Sequence, residues 1–305
     1  MADFKNELSW SFSRDRIFRE CLRQYYYYYY AAWGGWERNA SLLSRKAYLF
    51  KNMKNLDLWA GDVSHQIIEW VIRGKKQHTS ISLSAALAKA EKIFYQGIEQ
   101  SANQMWRYNI KGSLNLFEHY YENKSLNDLG KEKFEEKIAK SIKRFYDLGI
   151  LEKLEDAEGE DYLSLEELRS FYYSGVKIYI KIDFAIKRDG LVYLYDWKTG
   201  RESYQDRLQL QAYAFYAQKS WGVEYSAIRL YPVYLTQDDF SLKAIANISP
   251  QELTDYIDKS LKAMKERLVD VDNNQAVIDN FVPQRQQYRC RHCFFKELCF
   301  SPSSL

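Results

Sequence analysis

Two aspartates and a lysine lie where two neighbouring strands are predicted. Residues 177–182 and 191–195 each alternate apolar and polar side chains, and an Asp-Gly pair lies between them. This pattern predicts an antiparallel β-hairpin. Because successive residues of a strand point to opposite faces, Asp196 and Lys198 leave the same face, and Asp183 can approach them from the neighbouring strand.

This set of side chains suits the metal-dependent hydrolysis of phosphodiesters. Carboxylates supply the hard oxygen ligands that Mg²⁺ and Mn²⁺ prefer. A bound metal would polarise the phosphate and lower the pKa of water, and a lysine ammonium would position that water or offset the developing negative charge. An acid and a base on one strand face also commonly form a solvated ion pair, so the spacing alone leaves both interpretations open.

The length and charge of the chain limit the remaining interpretations. A chain of 305 residues can bury a substantial core and suits one elaborated domain or two. Lys and Arg total 44 against 41 Asp and Glu, so any nucleic-acid-binding surface must be local. No stretch is apolar enough to span a bilayer and no signal segment is evident, so we expect a soluble cytoplasmic protein. The phosphate-binding loop of P-loop ATPases is also missing from the sequence.

Helices are predicted on both sides of the hairpin. Residues 63–72 carry an apolar stripe at i, i+4 spacing, with His65 beside it, where a histidine is more often structural than a ligand. Residues 75–168 are charged and show helical stripes, which predicts a helical insertion that shapes a groove and carries no catalytic residue. The run of residues 25–30, all tyrosines, favours ordinary packing over base stacking.

Further elements follow the hairpin. A helix over 203–219 places Gln209 and Tyr213 one turn apart on the same face. Beyond it, the pattern predicts two strands and then a helix with Pro250 at its first position: residues 225–235, 240–245 and 250–268.

Three of the four cysteines are clustered near the end of the chain. Cys290, Cys293 and Cys299 lie in a short basic segment, whereas Cys21 lies far away in sequence. Four thiols suit a [4Fe-4S] cluster or a tetrahedral zinc ion, and His292 offers a zinc alternative without Cys21. Disulfides are disfavoured in an intracellular protein. A metal site joining the two ends would stabilise the fold as a cross-link does.

In their order along the chain, these motifs resemble those of PD-(D/E)XK nucleases of the RecB-like branch, close to the iron-sulfur nucleases of the CRISPR-adaptation exonuclease family. The resemblance spans nearly the full chain except residues 75–168, and Ile182 stands where the family name has proline. It rests on Cys21, Gly61-Asp62-Val63-Ser64-His65, Asp183, Asp196-Trp197-Lys198, Gln209-Leu210-Gln211-Ala212-Tyr213 and the three terminal cysteines.

The resemblance implies a role for each of these residues. The Mg²⁺ or Mn²⁺ ligands would be His65, Asp183, Asp196 and the backbone carbonyl of Trp197. The catalytic set would be Asp183, Asp196 and Lys198, and the residues lining the site and holding DNA would be Gln209 and Tyr213. The [4Fe-4S] ligands would be Cys21, Cys290, Cys293 and Cys299.

The resemblance also implies the architecture. We expect an α/β fold with a restriction-endonuclease-like core, in which helices flank a central mixed sheet, together with a helical insertion and an iron-sulfur lobe that joins the N- and C-termini. The expected divisions are an N-terminal part of the core, the insertion, the sheet with the active site, and the cysteine cluster: residues 1–74, 75–168, 169–270 and 271–305.

The implied activity is metal-dependent hydrolysis of DNA. We expect an exonuclease on single-stranded DNA that serves DNA repair, recombination or CRISPR adaptation, alone or with a helicase or integrase partner. Two alternatives stay open. One is a catalytically silent iron-sulfur DNA-binding subunit of a helicase-nuclease or integration complex, and the other is a zinc-stapled endonuclease that cuts duplex DNA.

Overall fold

A mixed β-sheet with helices on both faces forms the centre of the molecule. The computed structural model describes residues 5–238 and 242–300. In that part of the chain the sheet has five strands, which are β1 (Ser9–Trp10), β2 (Tyr162–Tyr173), β3 (Val176–Arg188), β4 (Leu191–Lys198) and β5 (Ile228–Tyr234).

Strand β3 is central, and one of its edges is only partly paired. Strand β2 pairs antiparallel with β3 from Val176 to Ile186. On the opposite edge, β1 pairs in parallel with Lys177 and Ile178, and β4 pairs antiparallel with residues 184–188. The ladder on this edge is therefore interrupted over residues 179–183. Strand β5 runs parallel to β4 and completes the mixed sheet.

The predicted hairpin is confirmed, with strands longer than the alternating stretches. Asp189 and Gly190 connect β3 to β4 and have φ angles of 50° and 75°. Two consecutive residues in the left-handed region give a tight turn whose twist matches that of the flanking strands. Gly adopts this conformation without strain and Asp tolerates it, which explains the Asp-Gly pair.

Helices cover both faces of the sheet. On one face, α4, α5 and α7 pack with Trp197 and Phe184 around one apolar core. On the other face, α1, α8 and α9 pack on Ile180 and Leu194 around a second core. The helices are α1 (Phe12–Glu20), α2 (Leu22–Tyr26), α3 (Leu42–Lys51), α4 (Leu56–Lys76), α5 (Leu83–Ala102), α6 (Phe117–Glu122), α7 (Glu132–Asp147), α8 (Tyr204–Trp221), α9 (Pro250–Lys265), α10 (Gln287–Arg291) and α11 (Lys296–Phe300).

The helical prediction for residues 75–168 is wrong at its end. Helices α5, α6 and α7 lie in this range, but residues 162–168 belong to β2. Their pairing with β3 decides the conformation, because strand formation depends more on neighbouring strands than on intrinsic preference. For the predicted strand over 240–245, residues 240 and 241 lie outside the described residues, and residues 242–245 form no strand.

The two ends of the described chain meet in a third apolar cluster. Tyr27 stacks on Phe295, and its hydroxyl donates to the carbonyl of Leu298 at 2.9 Å. The guanidinium of Arg289 donates to the carbonyl of Glu20, also at 2.9 Å. Packing and hydrogen bonds thus hold the segment around α2 against α10 and α11. None of the helices described here has the length and apolar character needed to cross a membrane.

Candidate active site

A cavity of about 940 Å³ lies beside the interrupted edge of β3. Its walls come from α4, α8 and strands β2 to β4, so residues far apart in sequence meet there. The lining includes every residue that the sequence placed in the metal site or the substrate site: His65, Asp183, Asp196, Trp197, Lys198, Gln209 and Tyr213. Glu166, which the sequence analysis did not select, also lines the cavity.

Asp183 bridges the two strands where the backbone ladder is missing. The residue is 6% exposed, and its Oδ2 accepts the backbone N–H of Trp197 at 2.8 Å. A buried N–H group needs an acceptor, and here a carboxylate replaces the carbonyl of a neighbouring strand. Burial and the negative charges of Asp196 and Glu166 raise the pKa of Asp183 to about 7, although His65 acts in the opposite direction.

Helix α4 carries His65 to the cavity. The helix begins after Asn55, whose side chain accepts the N–H of Leu58 at 2.9 Å. One turn before His65, Gly61 passes so close to Thr199 that an added Cβ would lie 3.1 Å from the threonine Oγ1. A glycine at this position therefore allows α4 to approach the end of β4 closely.

Both nitrogens of His65 face oxygen atoms. Nδ1 lies 2.9 Å from Glu166 Oε1, and Nε2 lies 3.1 Å from the carbonyl oxygen of Trp197. Burial alone would disfavour the protonated ring. The charges of Asp183, Glu166 and Asp196 outweigh that cost and raise the pKa of His65 to about 9, so the imidazolium donates to both oxygens.

Glu166 lies on β2 opposite Asp183, in a local distortion of the strand. Its φ is 54°, a left-handed conformation that is unusual for glutamate and marks a constrained position. One carboxylate oxygen contacts His65 and the other lies 2.5 Å from Lys181 Nζ. The charge of His65 lowers the pKa of Glu166 against the effect of burial. No local pattern marks Glu166 as a site residue, because the charges and apolar stripes of residues 75–168 predict a helical insertion without catalytic residues.

His65, Glu166 and Asp183 form a donor group of the right size for a metal ion. Each offers one ligand atom, and these atoms lie within 4.8 Å of one another. One imidazole nitrogen and two carboxylates suit Mg²⁺ or Mn²⁺, so the residues fit the metal that the chemistry requires. Asp196, which the sequence placed among the ligands, lines the same cavity but is engaged with Lys198 and α8.

The partly buried Lys198 and the fully buried Asp196 form an ion pair that two residues of α8 hold. Lys198 Nζ lies 2.7 Å from Asp196 Oδ2 and donates to Gln209 Oε1 at 3.0 Å. The amide of Gln209 donates to the other oxygen of Asp196 at 3.0 Å, and the Tyr213 hydroxyl lies 3.1 Å from the same atom. Burial disfavours the charged lysine, but Asp196 raises the pKa of Lys198, so the ammonium stays protonated.

Asp206 is a second carboxylate beside Lys198. Its Oδ1 lies 3.5 Å from Lys198 Nζ, and the hydroxyl of Tyr234 donates to its Oδ2 at 3.1 Å. Asp206 also forms a capping box with Ser203 at the start of α8. The same interaction that begins the helix therefore fixes a charge next to the lysine.

The four cysteines are free thiols and are all partly buried. Burial and the neighbouring Cys299, Cys21 and Cys290 raise the pKa of Cys293 to about 12. Burial and the proximity of Cys21 raise the pKa of Cys299 to about 11. The thiols are thus near enough to affect one another. Across residues 5–238 and 242–300, however, no three cysteine sulfurs lie within 4.8 Å of one another.

A comparison with protein-family models matches residues 9–300 to the PD-(D/E)XK nuclease superfamily. The chain belongs to this superfamily. Its mixed sheet with flanking helices agrees with a restriction-endonuclease-like fold, as the sequence predicted. PD-(D/E)XK nucleases generally use divalent metal ions to cleave nucleic acids, which agrees with the donor group at the cavity. No curated protein matches the chain.

Proposed function

We propose that this PD-(D/E)XK protein is a Mg²⁺- or Mn²⁺-dependent exonuclease that hydrolyses phosphodiester bonds of single-stranded DNA. The observation that carries the proposal is the convergence of an imidazole, two buried aspartates and a lysine on one cavity. If the ion pair of Lys198 and Asp196 had only a structural role, it would not require His65, Glu166 and Asp183 in the same cavity. Such clusters of buried titratable groups are typical of active sites.

We assign the metal site to His65 Nε2, Asp183, Asp196 and the carbonyl of Trp197. Glu166, the third member of the donor group, holds His65 through Nδ1 in this assignment and does not bind the ion. His65 Nε2 and this carbonyl already face each other at 3.1 Å. When bound, a divalent ion supplies electrophilic polarisation of the phosphate and favours deprotonation of water. The carboxylate of Asp183 is held at the site by the backbone N–H of Trp197. The ion would take the place of the His65 proton, which Asp183, Glu166 and Asp196 stabilise in the absence of metal.

Lys198 acts on the reacting groups. Its ammonium is held by Asp196 and Gln209, so it is positioned before substrate binds. In that position it orients the attacking water or offsets the negative charge that develops on the phosphate. Gln209 and Tyr213 hold Asp196 and line the cavity, and the hydroxyl of Tyr213 also donates to the carbonyl of Lys181 at the unpaired edge of β3.

Glu166 acts as a positioning residue in this scheme. Its carboxylate accepts from His65 Nδ1 and so directs Nε2 towards the Trp197 carbonyl. Acidic partners of metal-binding histidines commonly fix the ring in this way, and their loss typically lowers metal affinity 10- to 100-fold. Lys181 in turn holds the carboxylate.

Replacing Glu166 with alanine is expected to weaken Mn²⁺ binding about 10- to 100-fold without unfolding the protein. Isothermal titration calorimetry measures the affinity, and circular dichroism checks the fold. Glu167→Ala is the matched control, since the neighbouring Glu167 contacts Arg169 and does not line the cavity. An unchanged Mn²⁺ affinity in the Glu166 variant would show that this carboxylate does not position the metal-binding histidine.

The direct test of the activity uses labelled DNA. Linear single strands should be degraded from an end when Mg²⁺ or Mn²⁺ is present and should survive when a chelator is added. Circular single strands and blunt duplexes should survive in both conditions. Absence of cleavage would favour the silent DNA-binding subunit, whereas cutting of duplex DNA at internal positions would favour the endonuclease. Strands blocked at either the 5′ or the 3′ end give the polarity.

We also propose that Cys21, Cys290, Cys293 and Cys299 bind a [4Fe-4S] cluster. The packing of Tyr27 on Phe295 brings the two segments together, and the thiols influence one another's pKa. A single zinc ion at about 2.3 Å from each sulfur would need the thiols closer than they are. In an iron-sulfur cluster each thiolate binds a different iron atom, so the sulfurs lie farther apart.

Anaerobically purified protein is expected to contain iron and sulfide in equal amounts, about four of each per chain. Metal analysis, sulfide assay and the visible absorption spectrum measure this. Cys290→Ala should lose both elements, whereas His292→Ala, two residues away, should keep them. Stoichiometric zinc without sulfide would instead support the zinc alternative.

The proposed activity suits processes that trim single strands. DNA repair, recombination and CRISPR adaptation all generate such ends, and a helicase or integrase could deliver them to the cavity. Co-purification with such a partner from the native cell would identify the process.

A further inference from the structure

A second cavity, of about 1000 Å³, continues from the active site towards the cysteine-bearing end of the chain. It lies between α3, the start of α4, the loop before α6, and α10 with the residues that follow. We call it the basic groove. The two cavities adjoin, since they share six lining residues: Ser13, Arg16, Lys54, Asp57, Leu58 and Asp62.

The basic groove carries an excess of positive charge. Its lining contains five basic and three acidic side chains. Two of the acids are already neutralised, since Asp62 pairs with Lys54 and Asp57 pairs with Lys137 from outside the groove. Arg16, Lys51 and Lys111 form no ion pair with any residue in the described ranges. Basic side chains without acidic partners along a groove are typical of surfaces that bind polyanions.

Lys51 is the most distinctive of these cations. It ends α3, is partly buried, and its ammonium lies 4.9 Å and 5.6 Å from the ring centroids of Tyr28 and Tyr29. Burial and the like charges of Arg14 and Lys111 lower its pKa to about 8. A partly buried ammonium surrounded by other cations is costly unless an anion is bound beside it. Lys51 lines the groove and its ammonium contacts only aromatic rings among the contacts described above, so a phosphate in the groove can bind it.

Aromatic rings accompany the charges. The ring of Tyr288 is 81% exposed and lies 4.6 Å from the ring of His292, and both residues line the groove. Trp59 also lines the groove, and Lys54 Nζ lies 5.8 Å from the centroid of its ring. Exposed aromatic faces stack on unpaired bases, whereas the bases of a duplex are already stacked on each other. The combination of cations and rings favours a single strand.

We infer that the basic groove binds the part of a single-stranded polynucleotide that extends beyond the active site, and that Lys51 contacts one of its backbone phosphates. The inference deepens the proposed nuclease function, because it gives the path along which the substrate strand lies. From His65 to the start of α4 is nine residues, or about 14 Å of helix. Lys51 precedes this helix in the chain and lines the basic groove but not the active-site cavity, so we expect only strands several nucleotides long to reach it.

Binding of labelled single strands in the presence of a chelator tests the inference without depending on cleavage. Wild-type protein should bind strands of about 16 nucleotides more tightly than strands of about 8. Lys51→Met should reduce the affinity for the longer strand about tenfold and lower the slope of log K against log salt by about 0.7. Lys51→Arg should preserve both. Lys89→Met is the matched control, since Lys89 lies over the ring of Trp70 outside the groove.

The outcomes separate this inference from the proposed function. If Lys51→Met binds the longer strand as the wild type does, or if the Lys89 control loses as much affinity, the inference is overturned even when the protein cleaves DNA. If the protein binds strands through Lys51 but never cleaves them, the inference stands and the proposed activity fails. If Lys51→Met loses as much affinity for the shorter strand or for a single nucleotide as for the longer strand, Lys51 contacts the nucleotide in the active site. The proposed path of the strand along the basic groove would then be wrong.

Discussion

Replacing Lys198 with alanine is expected to reduce DNA cleavage at least about 10³-fold while DNA binding and iron content stay near wild type. The ammonium lies 2.7 Å from Asp196 and 3.0 Å from Gln209, so it is fixed beside a proposed metal ligand. We therefore expect it to act on the charge that develops during cleavage and not as a general anchor for the strand. Single-turnover cleavage of an end-labelled strand measures the rate. Fluorescence anisotropy with a chelator measures the binding.

The control for this prediction is Lys187→Ala. Lys187 is an exposed lysine of the same hairpin, paired in the ladder with Val192 and outside the cavity. The Lys187→Ala variant should cleave DNA at the wild-type rate. If the Lys198 variant retains more than about a tenth of that rate, the lysine has no part in the chemical step and the assignment of the active site must change.

Replacing Asp183 with asparagine is expected to abolish cleavage and, without metal, to raise the melting temperature by about 2 °C or more. Asp183 is buried near Asp196 and Glu166, and the cost of ionising it there raises its pKa to about 7. Asparagine keeps an oxygen that can accept the N–H of Trp197 and removes the charge. We therefore expect the substitution to remove metal binding and to raise the stability of the metal-free protein, an opposition that is typical of active sites.

The pH dependence gives the sign of this effect. The folded protein holds the Asp183 proton more tightly than the unfolded chain does, because the pKa rises from 3.8 to about 7 on folding. The contribution of this group to stability is therefore greatest below about pH 4 and is lost as the pH rises to about 7. Accordingly, the stability advantage of the asparagine variant should grow between these values and then level off. Thermal melts across this range measure it.

Metal should reverse the order of the two proteins. Saturating Mn²⁺ binds the folded wild type and raises its melting temperature, but it should leave the Asp183→Asn variant unchanged. Asp189→Asn, at the exposed turn of the hairpin, should behave as the wild type in every assay. An Asp183 variant that melts below the wild type without metal, or that gains as much stability from Mn²⁺, would contradict the assigned role.

The hairpin and the α8 part of the candidate site could be predicted from patterns of residues that are close in sequence. The hairpin follows from alternation and an Asp-Gly turn, and these features depend only on residues close in sequence. The same holds for α8, which stacks Gln209 and Tyr213 by helical spacing. The family model then confirmed the superfamily that the order of the motifs indicated.

The positions of His65 and Glu166 in the site depend on contacts between segments that are distant in sequence. His65 meets the carbonyl of Trp197 across 132 residues, and its pairing with Glu166 spans 101. The sequence gives no local signal for β2, whose glutamates and leucines also suit a helix. Its pairing with β3 selects the strand, and the left-handed backbone at Glu166 then turns that carboxylate towards the histidine. Only the assembled sheet reveals this residue.

The missing side chain at position 61 affects how closely α4 can pack on the sheet. Alanine would favour the helix by about 1 kcal/mol, yet its methyl group would press on Thr199, which follows Lys198. Relief would come either by turning the threonine hydroxyl away or by widening the gap between helix and sheet. In the second case the imidazole one turn further on would move away with the helix, so a more stable helix would align His65 less well with the sheet.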